Sequence, residues 1–214
     1  MGYDFSSFID RVSLIQTAPD AYNQFGAGDN PYNAIRRANL SRYLQDLFAR
    51  QTEWMLLGEA PGYRGMRLTG LPMTGRRQLR DGVPELGVLG LARGYQDVPE
   101  PGFEAIQSEQ TATILWNLLP ELGIVPLVWG AFPFHPHEPG KMLSNRKPRA
   151  NEVKLGQPLV RELLEIFKPK KVIAVGNVGY GLLTEMGVPC VKVRHPAQGG
   201  KNDFVAGMRA AVQG

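Results

Sequence analysis

The sequence predicts an α/β fold: a three-layer α/β/α sandwich built on a short, mainly parallel four-stranded sheet. Two observations predict it. Short apolar runs alternate with segments of helical periodicity along most of the chain, and each run stops on glycine or a polar residue, as strands buried on both faces do. The chain has 214 residues, 43% hydrophobic and 21% charged, enough to bury one substantial core. One domain over residues 1–214 is expected, with no repeat, low-complexity tract or domain-length linker.

The elements follow in order. Residues 5–15 and 31–51 carry helical periodicity, the second with Pro31 at its start, and both precede the apolar strand "WMLLG" at 54–58. Residues 104–122 read as a helix that Gly123 ends, and "IVPLVWGAF" at 124–132 as a second strand, with Pro126 near its beginning. Residues 151–167 read as a helix interrupted by Gly156 and Pro158. "KKVIAVG" at 170–176 is the third strand, 178–186 a short helix, "VPCVKV" at 188–193 the fourth strand, and 202–212 a terminal helix.

Composition excludes several classes of function. No apolar run approaches the ~18 residues of a membrane span, and the N-terminus lacks a basic-then-apolar leader, so a cytoplasmic protein without membrane contact is expected. The single Cys190 makes no internal disulfide and holds no iron–sulfur cluster or structural zinc by itself; it reads as a buried strand thiol. Net charge is +4, with a pI near 9.3, so distribution matters more than total. Between Ala60 and Arg80 stand five arginines and no acid, whereas Asp81 to Glu121 holds seven acids against Arg93 alone. "GKMLSNRKPR" and "VKVRHPAQGGK" are two further basic segments, and three basic loops suit one polyanion.

In open α/β sheets, ligands bind where the loops gather at the carboxyl ends of the strands. Those ends hold the unusual residues of this chain: "GEAPGYRG", "FPFHPHEPG", "GNVGYG" and "RHPAQGG". Glu59 stops the first apolar run, where a core strand would avoid a carboxylate, and is therefore a residue of the cleft mouth.

The ordered set "GEAPGYRG", "TGLPMTG", "FPFHPH…LSNRKP" and "RHPAQGG" resembles the uracil-DNA glycosylase superfamily, over roughly residues 28 to 212. Members carry a Gly-x-x-Pro-Gly type motif after the first strand and His-Pro after the last. Gly-Glu-Ala-Pro-Gly is the form of the branch with an iron–sulfur cluster, yet the cluster cysteines are absent here. The character of "GYRGMRLTG" is closer to the single-strand-selective and broad-specificity branches.

The resemblance implies hydrolysis of an N-glycosidic bond in DNA, which develops positive charge on the sugar and negative charge on the departing base. Glu59 would stabilise the cation or orient water, and His195 would donate a hydrogen bond to the base oxygen. Ala60, Gly62, Tyr63, Met73, Gly130, Ala131 and Phe132 would hold the flipped base. Arg64, Gly65, Arg67, Asn145, Arg146, Arg194, Gln198, Gly199, Gly200 and Lys201 would grip the DNA, with Gln198 placed to enter the duplex.

Two positions depart from the family pattern. Met73 stands where an aromatic, most often Phe, stacks on the base, and Gly130 stands where Asn reads the pyrimidine edge. Backbone groups of Gly130 and Ala131, a water, or Asn117 would have to compensate, or the pocket accepts a larger deaminated purine. His135, His137 and Glu138 form a His-x-His group without a clear third ligand, so no metal or other cofactor is expected; glycosidic hydrolysis requires none. The expected function is a monomeric glycosylase acting on DNA with uracil or another deaminated base. The alternatives are a member that binds damaged or single-stranded DNA without efficient turnover, and a nucleoside hydrolase, which would not need three basic loops.

Overall fold

A computed structural model describes residues 2–28, 30–106 and 108–214. In chain order the elements are α1 (Ser6–Leu14), β1 (Ala21–Tyr22), α2 (Tyr32–Ala49), β2 (Trp54–Gly58), α3 (Met66–Thr69), α4 (Arg76–Asp81), α5 (Gln110–Leu122), β3 (Leu127–Gly130), β4 (His135–Pro136), α6 (Ala150–Phe167), β5 (Lys171–Val175), α7 (Gly176–Glu185), β6 (Val191–Val193) and α8 (Lys201–Gln213). Short 3₁₀ turns at Pro84–Leu86 and Leu91–Arg93 punctuate the stretch between α4 and α5.

Four strands form the main sheet in the order β3-β2-β5-β6, and every neighbouring pair is parallel. Met55, Leu56 and Leu57 of β2 are buried, as befits a central strand covered by helices on both sides. Helix α7 packs on β2 and β5, α6 on β3 and α7, and α8 on β6 and α5. From β2 the chain runs on to β3, and from β5 it runs on to β6 at the other edge. These connections diverge above the adjacent carboxyl ends of β2 and β5, which opens a crevice there. Among the described residues, no helix is long and apolar enough to cross a membrane.

Several elements differ from the periodicity. Helix α6 runs unbroken through Gly156 and Pro158. Gly156 serves packing: a Cβ there would collide with the Ala131 carbonyl, so the missing side chain lets α6 lie against the loop after β3. Helix α5 begins at Gln110 and not near Glu104, because the Glu109 carboxylate caps it, accepting the backbone N–H groups of Thr111 and Ala112. Strand β3 ends at Gly130, after which Ala131 N–H donates to Gly58 O (3.1 Å) and Phe132 N–H to Glu59 O (3.0 Å). Edge strand β6 starts only at Val191; Pro189 has no N–H for the ladder, and Cys190 is half-exposed ahead of it, not a buried strand thiol. The antiparallel pair β1–β4, two residues each, is too short to leave a periodic trace.

Candidate active site

A cleft of about 590 Å³ lies where the loops after β2, β3, β5 and β6 meet. That is within the ~300–1,000 Å³ usual for small-molecule sites. A larger groove of about 910 Å³ runs past Tyr3, Phe48 and Arg161 beside the ends of α2 and α6, which lead into the amino ends of β2 and β5. The smaller cleft is the one with convergent polar groups at the carboxyl ends.

Strand β2 delivers Glu59 to the cleft. Its carbonyl is held by Phe132 N–H, which fixes the backbone while the side chain faces the opening. From the loop after β6 comes His195, half-buried on the same cleft. Gly176 brings the two together. Its φ is +86°, and a Cβ there would sit 2.9 Å from Glu59 Oε1 and 3.3 Å from His195 Cβ, so any side chain at this turn would push them apart.

The protonation state of His195 follows from its surroundings. Ala197 N–H donates to Nδ1 at 3.1 Å, so Nδ1 carries a lone pair and the neutral ring carries its proton on Nε2. Burial holds the ring below its ordinary value of 6.5; the Glu59 charge opposes that shift, and Arg194 adds to it. The cleft thus holds a neutral N–H donor together with a carboxylate.

Met73 forms part of the floor. Its methyl end lies directly on Gly58, the last residue of β2, and its carbonyl accepts Trp116 Nε1–H at 3.1 Å. Thr69 Oγ1 donates to Thr74 O (3.0 Å) and Thr74 Oγ1 to Pro72 O (2.8 Å), closing the turn. Met73 has φ +43°, a left-handed conformation that a large side chain avoids, and such strain concentrates at functional sites. Beside it, Ala60, Gly62, Gly65 and Gly130 line the cleft. Ala131 and Phe132 do not: Ala131 is buried against Gly156, and the Phe132 ring packs on Phe134 at 5.4 Å. The Tyr63 ring also turns away, leaning on the small cluster of Leu68, Val98 and Phe103 with Arg64 over its face at 5.1 Å.

The expected basic surface is smaller than the charge runs suggest. Arg67 is buried and paired with Glu100, and Arg76 binds Asp97 through Nε (2.7 Å) and Nη2 (2.9 Å), with Arg80 also on Asp97. The acid-free run and the acid-rich run that follows it thus neutralise each other inside the fold. Arg146 reaches the cleft wall, but its guanidinium is held by Glu152 at 2.6 Å and by Asp20. Among the described residues, Arg64, Arg77, Lys141, Lys147, Arg194 and Lys201 form no ion pair, and of these Lys147 and Arg194 line the cleft. Asn145 joins two loops, its Oδ1 accepting Tyr63 N–H at 2.9 Å. Gln198 lines the cleft on a turn in which it and Gly199 both have positive φ, whereas Gly200 is buried beneath the His195 carbonyl and begins α8.

The structure adds residues that pattern did not single out. Glu109 and Thr111 at the start of α5, and Asn177 at the start of α7, line the cleft. Glu109 carries no sequence signal, because Glu is an uncommon capping residue and helical periodicity extends back to residue 104. Asn177 stood within "GNVGYG", a signal that marks a loop and not a role. Asn117 lies exposed on α5 and does not line the cleft. His135 is fully buried, with Nδ1 2.9 Å from Pro61 O and Nε2 3.0 Å from Met142 O, so it braces loops.

Residues 45–209, most of the chain, match the uracil DNA glycosylase superfamily. The chain belongs to that superfamily. Among solved structures, the fold of this superfamily member is similar to that of wild-type SMUG2 from Pedobacter heparinus, with a TM-score of 0.57 over 97% of each chain at 13% identity. A search of curated proteins finds no sequence match.

Proposed function

We propose that the protein is a monofunctional DNA glycosylase that draws a deaminated base, uracil or a deaminated purine, out of DNA and hydrolyses its N-glycosidic bond. The observation that supports this most is the meeting of Glu59 and His195 across Gly176, one a carboxylate and the other a neutral Nε2–H donor. As the bond between sugar and base breaks, the sugar becomes cationic, and the Glu59 carboxylate stabilises it and orients the attacking water. Negative charge gathers on the base oxygen, which His195 Nε2–H meets without a formal charge of its own. Met73 offers the flipped base a polarizable surface in place of an aromatic ring. The protein acts as a monomer and needs no cofactor for these steps.

A panel of single-stranded and duplex oligonucleotides carrying uracil, hypoxanthine or xanthine, assayed for abasic sites, tests this. Release of at least one base is expected, and Glu59→Gln should slow it by about tenfold to a thousandfold with DNA affinity nearly intact. Release that survives Glu59→Gln unchanged would remove the catalytic assignment. Gly130 favours a second reading, a damage-binding protein with little turnover, because no side chain there reads the base. Tight, lesion-selective binding with no abasic product from any substrate would select that reading.

A further inference from the structure

The cleft holds a second carboxyl group, which the chemistry above leaves unused. Glu109 lines it from the start of α5, half-buried. Two glycines make room for it: a Cβ on Gly65 would lie 3.3 Å from Glu109 Cγ, and a Cβ on Gly75 would lie 3.1 Å from Glu109 Cβ. The turn that carries Met73 reaches both carboxyl groups. The Met73 methyl rests on Gly58, the residue before Glu59, and two residues after Met73 the chain comes against Glu109 at Gly75. Trp116 Nε1–H, donating to Met73 O at 3.1 Å, fastens α5 to the same turn. A base lying on Met73 therefore has Glu59 on one side and Glu109 on another.

Glu109 is an unusual cap. Helices are capped best by the short side chains of Ser, Thr, Asp and Asn. This longer acid accepts Thr111 N–H on Oε1 (3.1 Å) and Ala112 N–H on Oε2, and each oxygen keeps a second site for a proton or a donor. Among the described residues, no cation pairs with it. From the loop after β2, Arg64 lies over the Tyr63 ring and Arg67 is bound to Glu100; from α4, Arg76 and Arg80 are bound to Asp97 and Arg77 is exposed. Elsewhere on the cleft Arg146 is bound to Glu152, and Lys147, Arg194 and His195 make no ion pair with Glu109. Burial holds the carboxyl group above its ordinary pKa, against the pull of the two N–H groups. A tightly held proton in the same cleft as a carboxylate is the pairing with which an acid and a base cut glycosidic bonds.

We propose that Glu109 is a general acid for purine lesions, giving its proton to N7 of hypoxanthine or xanthine as the bond to the sugar breaks. This rests on the glycosylase reading above. The C1′–N9 bond breaks, its electron pair stays with the base, and the proton on N7 lets the purine depart neutral. Water adds to C1′ and gives its proton to the Glu59 carboxylate; Glu59 returns that proton to solvent, and Glu109 takes one back. Uracil in DNA has no unprotonated ring nitrogen, so its charge gathers on oxygen, where His195 meets it. Glu109 thus separates the two classes of lesion.

The test compares single-turnover release of hypoxanthine, 7-deazahypoxanthine and uracil from single strands of one sequence by the full chain, between about pH 5 and 8. The wild-type ratio of hypoxanthine to uracil release should fall as pH rises and the acid form of Glu109 is used up. Ionisation of His195 enters both rates and cancels in the ratio. Glu109→Gln should lower the ratio about a hundredfold near about pH 6 and flatten its pH dependence, the scale of one general acid. Glu109→Asp keeps a good cap but draws the proton back by one methylene, so it should melt like the wild type and still lower the ratio. With CH in place of N7, 7-deazahypoxanthine should leave about a hundredfold more slowly than hypoxanthine from the wild type.

A wild-type ratio that is flat in pH, equal release of hypoxanthine and its 7-deaza analogue, or uracil release with no purine release would overturn the general acid and leave the glycosylase reading standing. A folded Glu109 variant that loses stability but keeps the ratio would make the residue a cap alone. Release of no base by the wild type would instead sink the glycosylase reading, and the acid with it.

Discussion

The backbone N–H of Ala197 donates to Nδ1 of His195 at 3.1 Å, and this bond decides which nitrogen of the neutral ring carries the proton. Protonation would place a second hydrogen where Ala197 already points one, so the acid form has to break the bond. The ring's pKa lies below the ordinary 6.5. Base release should therefore fall as pH drops through a value under 6.5, and His195→Asn should be slower but lack this limb. Single-turnover rates between about pH 5 and 8 check it. The stability sign follows from the same shift. The unfolded chain takes up the proton first, so the stabilisation is fully present above about pH 6.5 and is lost as pH falls towards the lower folded value. A rate profile whose acid limb survives His195→Asn would assign that limb to another group.

Gly176→Ala should harm chemistry more than binding. The new methyl would meet Glu59 Oε1 at 2.9 Å and force alanine to adopt φ +86°. A loss of roughly 1–3 kcal/mol in stability and at least about tenfold in base release is expected. Urea unfolding and single-turnover assays measure both, and unchanged release in a stably folded variant would separate Gly176 from the placement of Glu59.

Gly130→Asn should fold, because Gly130 does not have positive φ and its Cβ would meet Phe132 O at 3.3 Å and Glu59 O at 3.4 Å, which small shifts absorb. The amide would then project into the cleft and pair with a pyrimidine edge. A selective gain for uracil over hypoxanthine of about tenfold to a hundredfold is expected, from ~1–3 kcal/mol for one polar reader. If the variant folds and its lesion preference stays put, base reading lies elsewhere in the cleft, with Asn177 the next position to substitute.

Two arginines from the basic loops should behave oppositely. Arg67→Met leaves Glu100 with Arg36 as its remaining partner, so stability should drop by about 1–3 kcal/mol while the salt dependence of DNA binding stays as it was. Arg194→Ala should leave stability alone and reduce the slope of log K against log salt by about 0.9, one phosphate contact. Fluorescence anisotropy across salt concentrations, with denaturant melts alongside, distinguishes them; a lower slope for Arg67→Met would return that side chain to the DNA surface.

Local chemistry made much of this molecule legible in its chain. Apolar runs such as "WMLLG" and "KKVIAV" have few alternatives to buried parallel strands, and a carboxylate at the end of one has few alternatives to the cleft mouth. For the same reason motif order puts Glu59, Gly130 and His195 at the cleft, since each follows or terminates a strand, while Met73 joins them from the turn between α3 and α4. Tertiary structure decided what depends on residues far apart in sequence. Arg67 and Arg76 look like DNA contacts until Glu100 and Asp97 fold over them, because an ion pair is a property of distance in space and charge runs carry no distances. Phe132 follows Gly130 by two residues yet belongs to the core, and Ala131 is buried by Gly156 of a later helix. The tautomer of His195 and the closeness of Glu59 depend on Ala197 and Gly176. Neither glycine nor alanine has polar side-chain chemistry to announce itself; what they contribute is a backbone N–H and a missing Cβ, and those act only once the loops have met.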